Sequence, residues 1–138
     1  MHSFQLSTDN LAKLAETYNP TKPIYMLNLW RYAPTATYAP EHAHLSPSPC
    51  TGEEALKRYR AAIQAVIPPK CAVHFTAKPL TNVVAPEGEH WDAIVLVKYQ
   101  DLQGFRDMAE SKKYREEVEP HRLAGLADMR LICSEVLE

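Results

Sequence analysis

Residues 91–122 read WDAIVLVKYQDLQGFRDMAESKKYREEVEPHR, and this stretch decides the fold. It opens on a segment rich in β-branched residues, Trp91 to Tyr99, which reads as a strand. Asp101 follows, a side chain suited to cap the next helix. Leu102, Phe105, Met108 and Ala109 recur at helical spacing and give that helix an apolar face. A further turn region begins at Tyr114 and stops at Pro120 or shortly after, because proline removes a helical N–H and clashes with the preceding turn. His121 and Arg122 then stand just beyond the break, turned toward the end of the sheet where a cleft mouth is expected.

Working outward, PIYMLNLW (23–30) is nearly continuous apolar sequence, interrupted by Asn28 alone, and reads as a strand buried on both faces. TGEEALKRYRAAIQAV (51–66) reads as a helix. Thr51 and Glu54 form a capping box, and Leu56, Tyr59, Ile63 and Val66 share one face. Pro68-Pro69 stops it. KCAVHFTAK (70–78) is a strand with Cys71, Val73 and Phe75 on one side and Ala72, His74 and Thr76 on the other. PEGEH (86–90) is a turn, and MRLICSEVL (129–137) is the last strand. Before this series, TDNLAKLAETY (8–18) reads as a short amphipathic helix capped by Thr8 or Asp9 and ended by Asn19-Pro20. Residues 33–50 are proline-rich and without periodicity. A loop of ~15 or more residues in a compact domain is a lid, a binding loop or an insertion.

From residue 23 onward the order is β-α-β-β-α-β, the α+β ferredoxin-like arrangement: an antiparallel four-stranded sheet with two helices on one face. Residues 1–22 form an N-terminal helical extension and 23–138 the domain proper, with 33–50 inserted. Strands apolar on both faces, with helices over only one, point to a homodimer that covers the other.

The chain has 138 residues, 46% hydrophobic and 23% charged, with a formal net charge of −2. That length fits one domain burying about two-thirds of its unfolded surface. The charge gives no reason to expect nucleic acid or an anionic membrane as a partner. No apolar run approaches the ~20 residues of a membrane span, and the N-terminus has no signal-peptide pattern. Cys50, Cys71 and Cys133 are odd in number and widely spaced, which fits a reducing cytoplasm and small buried hydrophobes rather than nucleophiles.

Four segments, IYMLNLWRY, EGEHWDAIVLVKY, SKKYREEVEPHR and ADMRLI, taken in that order, resemble a family known only as a domain of unknown function within the dimeric α/β-barrel superfamily. The positions that carry the resemblance are Asn28-Leu29, Trp91-Asp92, Ser111 with Tyr114, and Arg122, and it covers about residues 23–136. It implies a dimeric barrel related to EthD-type proteins, muconolactone isomerase, cofactor-free monooxygenases and polyketide cyclases. Those proteins place a small, mostly apolar substrate between sheet and helices. The chain departs from the family pattern in its N-terminal helix, its insertion at 33–50, and Pro68-Pro69-Lys70 where the family carries Gly-Gly. The family's own reaction is unknown, so the implied activity is an analogy of fold.

Few residues can carry chemistry. Glycines at 52, 88, 104 and 125 make no phosphate loop, and no Cys-x-x-Cys or His-Glu-x-x-His occurs, so neither cofactor nor metal is expected. His42 and His44 lack an obvious third ligand. His74, mid-strand, is either a hydrogen-bonded core-edge residue or a general base, and His121 is the other candidate base. Arg122 either pairs with Glu116, Glu117 or Glu119 at the surface or holds an anionic substrate oxygen. Asn28 is the sharpest single residue, since an unsatisfied buried amide costs ~1–3 kcal/mol and so needs a partner. Tyr25, Trp30, Tyr59, Trp91 and Tyr114 offer aromatic surface for a substrate. Asp92 is a further possible base, or simply a solvated carboxylate.

The expected function is a cofactor-independent enzyme on a small aromatic or polyketide-like compound: a cyclase, isomerase, dehydratase or decarboxylase. His74 or His121 would move protons while Asn28 and Arg122 stabilise charge on oxygen. The 33–50 loop would be its lid. A cofactor-free monooxygenase is a variant. The alternatives are a non-catalytic small-ligand-binding module and a purely structural dimer whose apolar side chains plug the cleft.

Overall fold

Caps written into the sequence hold two helix starts where they were expected. The structure, a computed structural model, describes residues 4–138. Thr51 Oγ1 accepts from Glu54 N–H at 3.1 Å while Glu54 Oε1 accepts from Thr51 N–H at 3.4 Å, opening a helix over Gly52–Ile63. Asp101 Oδ1 accepts from Gly104 N–H at 2.7 Å and opens another over Leu102–Ala109. At the N-terminus the cap is Ser7, one residue earlier than expected, and its helix spans Thr8–Thr17. In chain order the elements are α1 (Thr8–Thr17), β1 (Ile24–Tyr32), α2 (Gly52–Ile63), β2 (Ala72–Ala77), β3 (Ala93–Tyr99), α3 (Leu102–Ala109), α4 (Glu119–Gly125) and β4 (Leu126–Ser134).

The four strands form one antiparallel sheet in the order β2-β3-β1-β4, the ferredoxin-like arrangement. β1 is not buried on both faces. Its even-numbered residues Ile24, Met26 and Trp30 are buried, whereas Tyr25, Leu27 and Leu29 remain partly exposed. The even face joins Leu56 and Tyr59 of α2 and Phe105 and Met108 of α3 in one core. The strict alternation expected for β2 fails at His74, where the pairing with β3 shifts. Val73 lies opposite Val97 and Phe75 opposite Leu96, so the bulge sends Val73 and Phe75 to opposite faces.

The largest correction falls on Pro120. Residues Tyr114–Val118 form a π turn in which Glu119 N–H bonds Tyr114 O. Pro120 then sits in the first turn of α4, where an N–H would have no helical partner in any case. Proline thus starts the last helix instead of ending one. His121 and Arg122 lie inside α4 and are buried, at 7% and 1% exposure, not at a cleft mouth.

The 33–50 segment contains a short 3₁₀ turn, Pro40–Leu45, and is tied to its surroundings by backbone bonds. Thr37 N–H donates to Ala124 O at 3.0 Å, and Ala33 N–H to Gly125 O at 2.8 Å. Gly125 is where α2 and α4 cross. A Cβ there would stand 2.7 Å from Gly52 O and 2.9 Å from Ala55 Cβ, so only glycine lets the backbones approach this closely. No helix among the described residues is long and apolar enough to cross a membrane.

Candidate functional site

The even face of β1 and its neighbours in β3 do not meet the helices everywhere. A cavity of about 420 Å³ remains between them, lined by Met26, Asn28 and Trp30 from β1 and Tyr59 from α2, with Phe105 and Tyr114 beyond. This volume is in the range of small-molecule pockets. Asn28, whose partner had to be found, donates from Nδ2 to Val95 O at 3.2 Å. Its Oδ1 makes no hydrogen bond among the described residues. The neighbouring Trp30, 3% exposed, has a buried Nε1 with no acceptor among the described residues. Such a donor forfeits about 1–3 kcal/mol.

The opposite wall carries two phenols. Tyr59 comes from the inward face of α2, and Tyr114 is the buried first residue of the π turn. Their hydroxyls are 2.9 Å apart, and the rings cross at 81°. Trp30 meets Tyr59 edge to face, with centroids 6.1 Å apart. Burial pushes the Tyr59 phenol well above its ordinary pKa, Tyr114 adds to the rise, and Arg122 offsets only part of it. Tyr59 is therefore a neutral donor or acceptor. One hydroxyl proton is used between the pair, which leaves the other for a third oxygen. Lys57 and Arg60 from α2, with Gln64 at its C-terminal cap, complete the wall on the solvent side.

Arg122 is behind this wall, not in it. Its guanidinium donates to Glu119 Oε2 at 3.1 Å, Phe4 O at 2.5 Å and Met129 Sδ at 2.9 Å. The glutamate partner expected at the surface is therefore real but interior, and the substrate-oxygen role has no geometric support. Burial works against the Arg122 charge, but Tyr114, Tyr59 and Glu119 outweigh it and hold its pKa above the ordinary value.

Of the residues singled out in the sequence, Asn28, Trp30, Tyr59 and Tyr114 line the cavity. Tyr25 points to the other sheet face, where it stacks on His74 with centroids 5.3 Å apart. His74 is exposed on an edge strand and outside the cavity. His121 lies beneath the 33–50 segment, where Nδ1 and Tyr38 Oη are 2.6 Å apart. Burial, then the nearby Arg58 cation, lowers the pKa of His121. Trp91 packs beneath Arg130, 5.5 Å from its ring, and Asp92 accepts from Tyr32 N–H and pairs with His90, stitching β1 to β3. No residue of 33–50 lines the cavity, so that segment is a brace on α4 and not its lid. No group of three metal-ligating side chains occurs among the described residues. The wall residues the sequence reading passed over, Lys57, Arg60 and Gln64, fall three and four apart beside the Tyr59 stripe, and that spacing could have exposed them.

No protein-family model matches the chain, and a comparison with curated proteins finds no match. Among solved structures the fold has close likenesses. The crystal structure of methylated RPA0582 protein is 27% identical, with a TM-score of 0.82 over 99% of this chain and 96% of that one. A second crystal structure, of the RPA0582 protein of unknown function from Rhodopseudomonas palustris, is 26% identical, with a TM-score of 0.80 over 100% and 99%. Both bear on fold, and neither brings an activity.

Proposed function

We propose that the cavity binds a small, mostly apolar molecule with a carbonyl or phenol oxygen, and that the chain does so as a homodimer. The carrying observation is a cavity, otherwise apolar on its sheet and core sides, that is lined by Asn28, Trp30 and the hydrogen-bonded Tyr59–Tyr114 pair. Apolar walls supply affinity and the few donors fix orientation. Titrating the protein with simple phenols and β-keto acids tests this. Tyr59→Phe and Asn28→Leu should each weaken binding about two- to tenfold, the worth of one hydrogen bond. Unchanged affinity in both variants would remove the cavity from consideration.

The homodimer is supported by the sheet face that no helix covers. Leu27, Leu29, Ile94 and Leu96 lie there beside the half-exposed Phe75 and Ile132, at 48% and 50%. An apolar surface of that extent marks an interaction site.

A catalytic reading is favoured by one further feature, the Arg122 cation placed behind the phenol pair. A cation there makes the phenols better donors to an oxygen that gains negative charge, as in enolisation, cyclisation or dehydration. The acid–base work would then rest on Tyr59 and Tyr114 in place of His74 and His121. The kinship with EthD-type proteins and muconolactone isomerase that the sequence suggests agrees with this reading.

A further inference from the structure

A second cavity, of about 450 Å³, lies beside the first and shares Leu6, Met26, Phe105 and Leu131 with it. Its far side is made by Leu11 and Leu14 of α1, facing Met129 and Cys133 of β4. The two chambers differ in chemistry. Asn28, Trp30 and the tyrosine pair all line the first, while the second is lined by Leu6, Leu11, Leu14, Met129 and Cys133, with polar side chains from Gln5, Ser7 and Asn10 along the N-terminal segment and Arg130 from β4. α1 covers it without burying a single residue fully, so the cover rests on half-buried leucines.

We propose that the ligand is elongated, with its oxygen-bearing head in the first chamber and a hydrocarbon tail that passes Leu6 into the second, beneath α1. This rests on the binding reading above and adds the class of ligand. Oxygen donors in one chamber and a cluster of apolar side chains in the adjoining one match a molecule with a polar head and a hydrocarbon tail. The N-terminal helix then serves as the tail's cover, and Leu6, common to both chambers, is the residue the tail must pass.

The probe is a series of 4-alkylphenols from methyl to hexyl, measured by calorimetry on the full chain. Each added methylene should tighten binding about fourfold, the worth of one buried CH₂. Leu14→Trp, which fills only the second chamber, should abolish the gain with length and leave 4-methylphenol binding unchanged. Affinity that does not depend on chain length, or an undiminished gain in Leu14→Trp, overturns the elongated ligand while leaving the first chamber standing. If no alkylphenol of any length binds, the binding reading itself falls. Should Leu14→Trp fail to fold, the wild-type series alone decides.

Discussion

The hydroxyls of Tyr59 and Tyr114 meet at 2.9 Å across 55 residues of sequence, joining α2 to the π turn inside the core. Each bonds the other inside the core, so removing one leaves its partner's hydroxyl short of that bond. Tyr59→Phe or Tyr114→Phe should each cost about 1–3 kcal/mol of stability. The double variant should cost less than the sum, because it leaves no hydroxyl short of that bond. Urea unfolding of the four proteins measures this, and strict additivity would mean that the contact has no energetic weight.

The crossing of α2 and α4 depends on Gly125. Gly125→Ala should destabilise by about 1–3 kcal/mol, since the added methyl overpacks against Gly52 O and Ala55. Gly88→Ala, in open space at φ 84°, serves as a contrast, with strain but no clash. A loss at Gly125 no greater than at Gly88 would show that the helices can part at little cost.

His121 carries a pH signature. The unfolded chain protonates this imidazole near pH 6.5, whereas burial and Arg58 delay protonation in the fold to a lower pH. Between those two values the unfolded state binds more protons, so stability rises with pH there. The contribution is complete above about pH 6.5 and is lost as pH falls through the folded value. The other groups facing the ring are Tyr38, from the 33–50 brace, and Arg58 from α2. In denaturant titrations at several pH values, His121→Asn should lose less stability than the wild type on acidification. Parallel pH profiles would count against the buried neutral ring.

The uncovered sheet face should associate. Sedimentation of the wild type should give a dimer. Phe75→Asp and Ile132→Asp, charges placed on half-exposed sheet positions, should shift it toward the monomer. A wild type that sediments as a monomer at micromolar concentration and stays folded contradicts the homodimer.

Much of the fold was legible because local chemistry and tertiary packing agree. Thr51, Glu54 and Asp101 cap in the structure as their spacing implies, and the four strands follow the apolar segments. What misled was backbone irregularity. A bulge at His74 and a π turn at Tyr114 each add a residue to a regular period, and neither has a composition of its own. The first moves the residues of β2 beyond His74 to the other face. The second lets the helical path continue, so Pro120 opens α4 and takes His121 and Arg122 inside. For the site, the sequence singled out Asn28 and Trp30, which share the cavity face of β1, but also Tyr25, which at odd parity with them belongs to the other face. The histidines drew attention through their chemistry alone, and neither His74 nor His121 lines the cavity, where Asn28, Trp30, Tyr59 and Tyr114 stand.

The two tryptophans offer the most direct measurement. Trp30 lines the cavity and Trp91 does not, so their indole N–H resonances report separately. On titration of labelled protein with 4-methylphenol, the account predicts a saturable shift of the Trp30 Nε1–H signal while Trp91 stays in place. A Trp30 signal that holds still at saturating phenol, whether or not Trp91 moves, would contradict it.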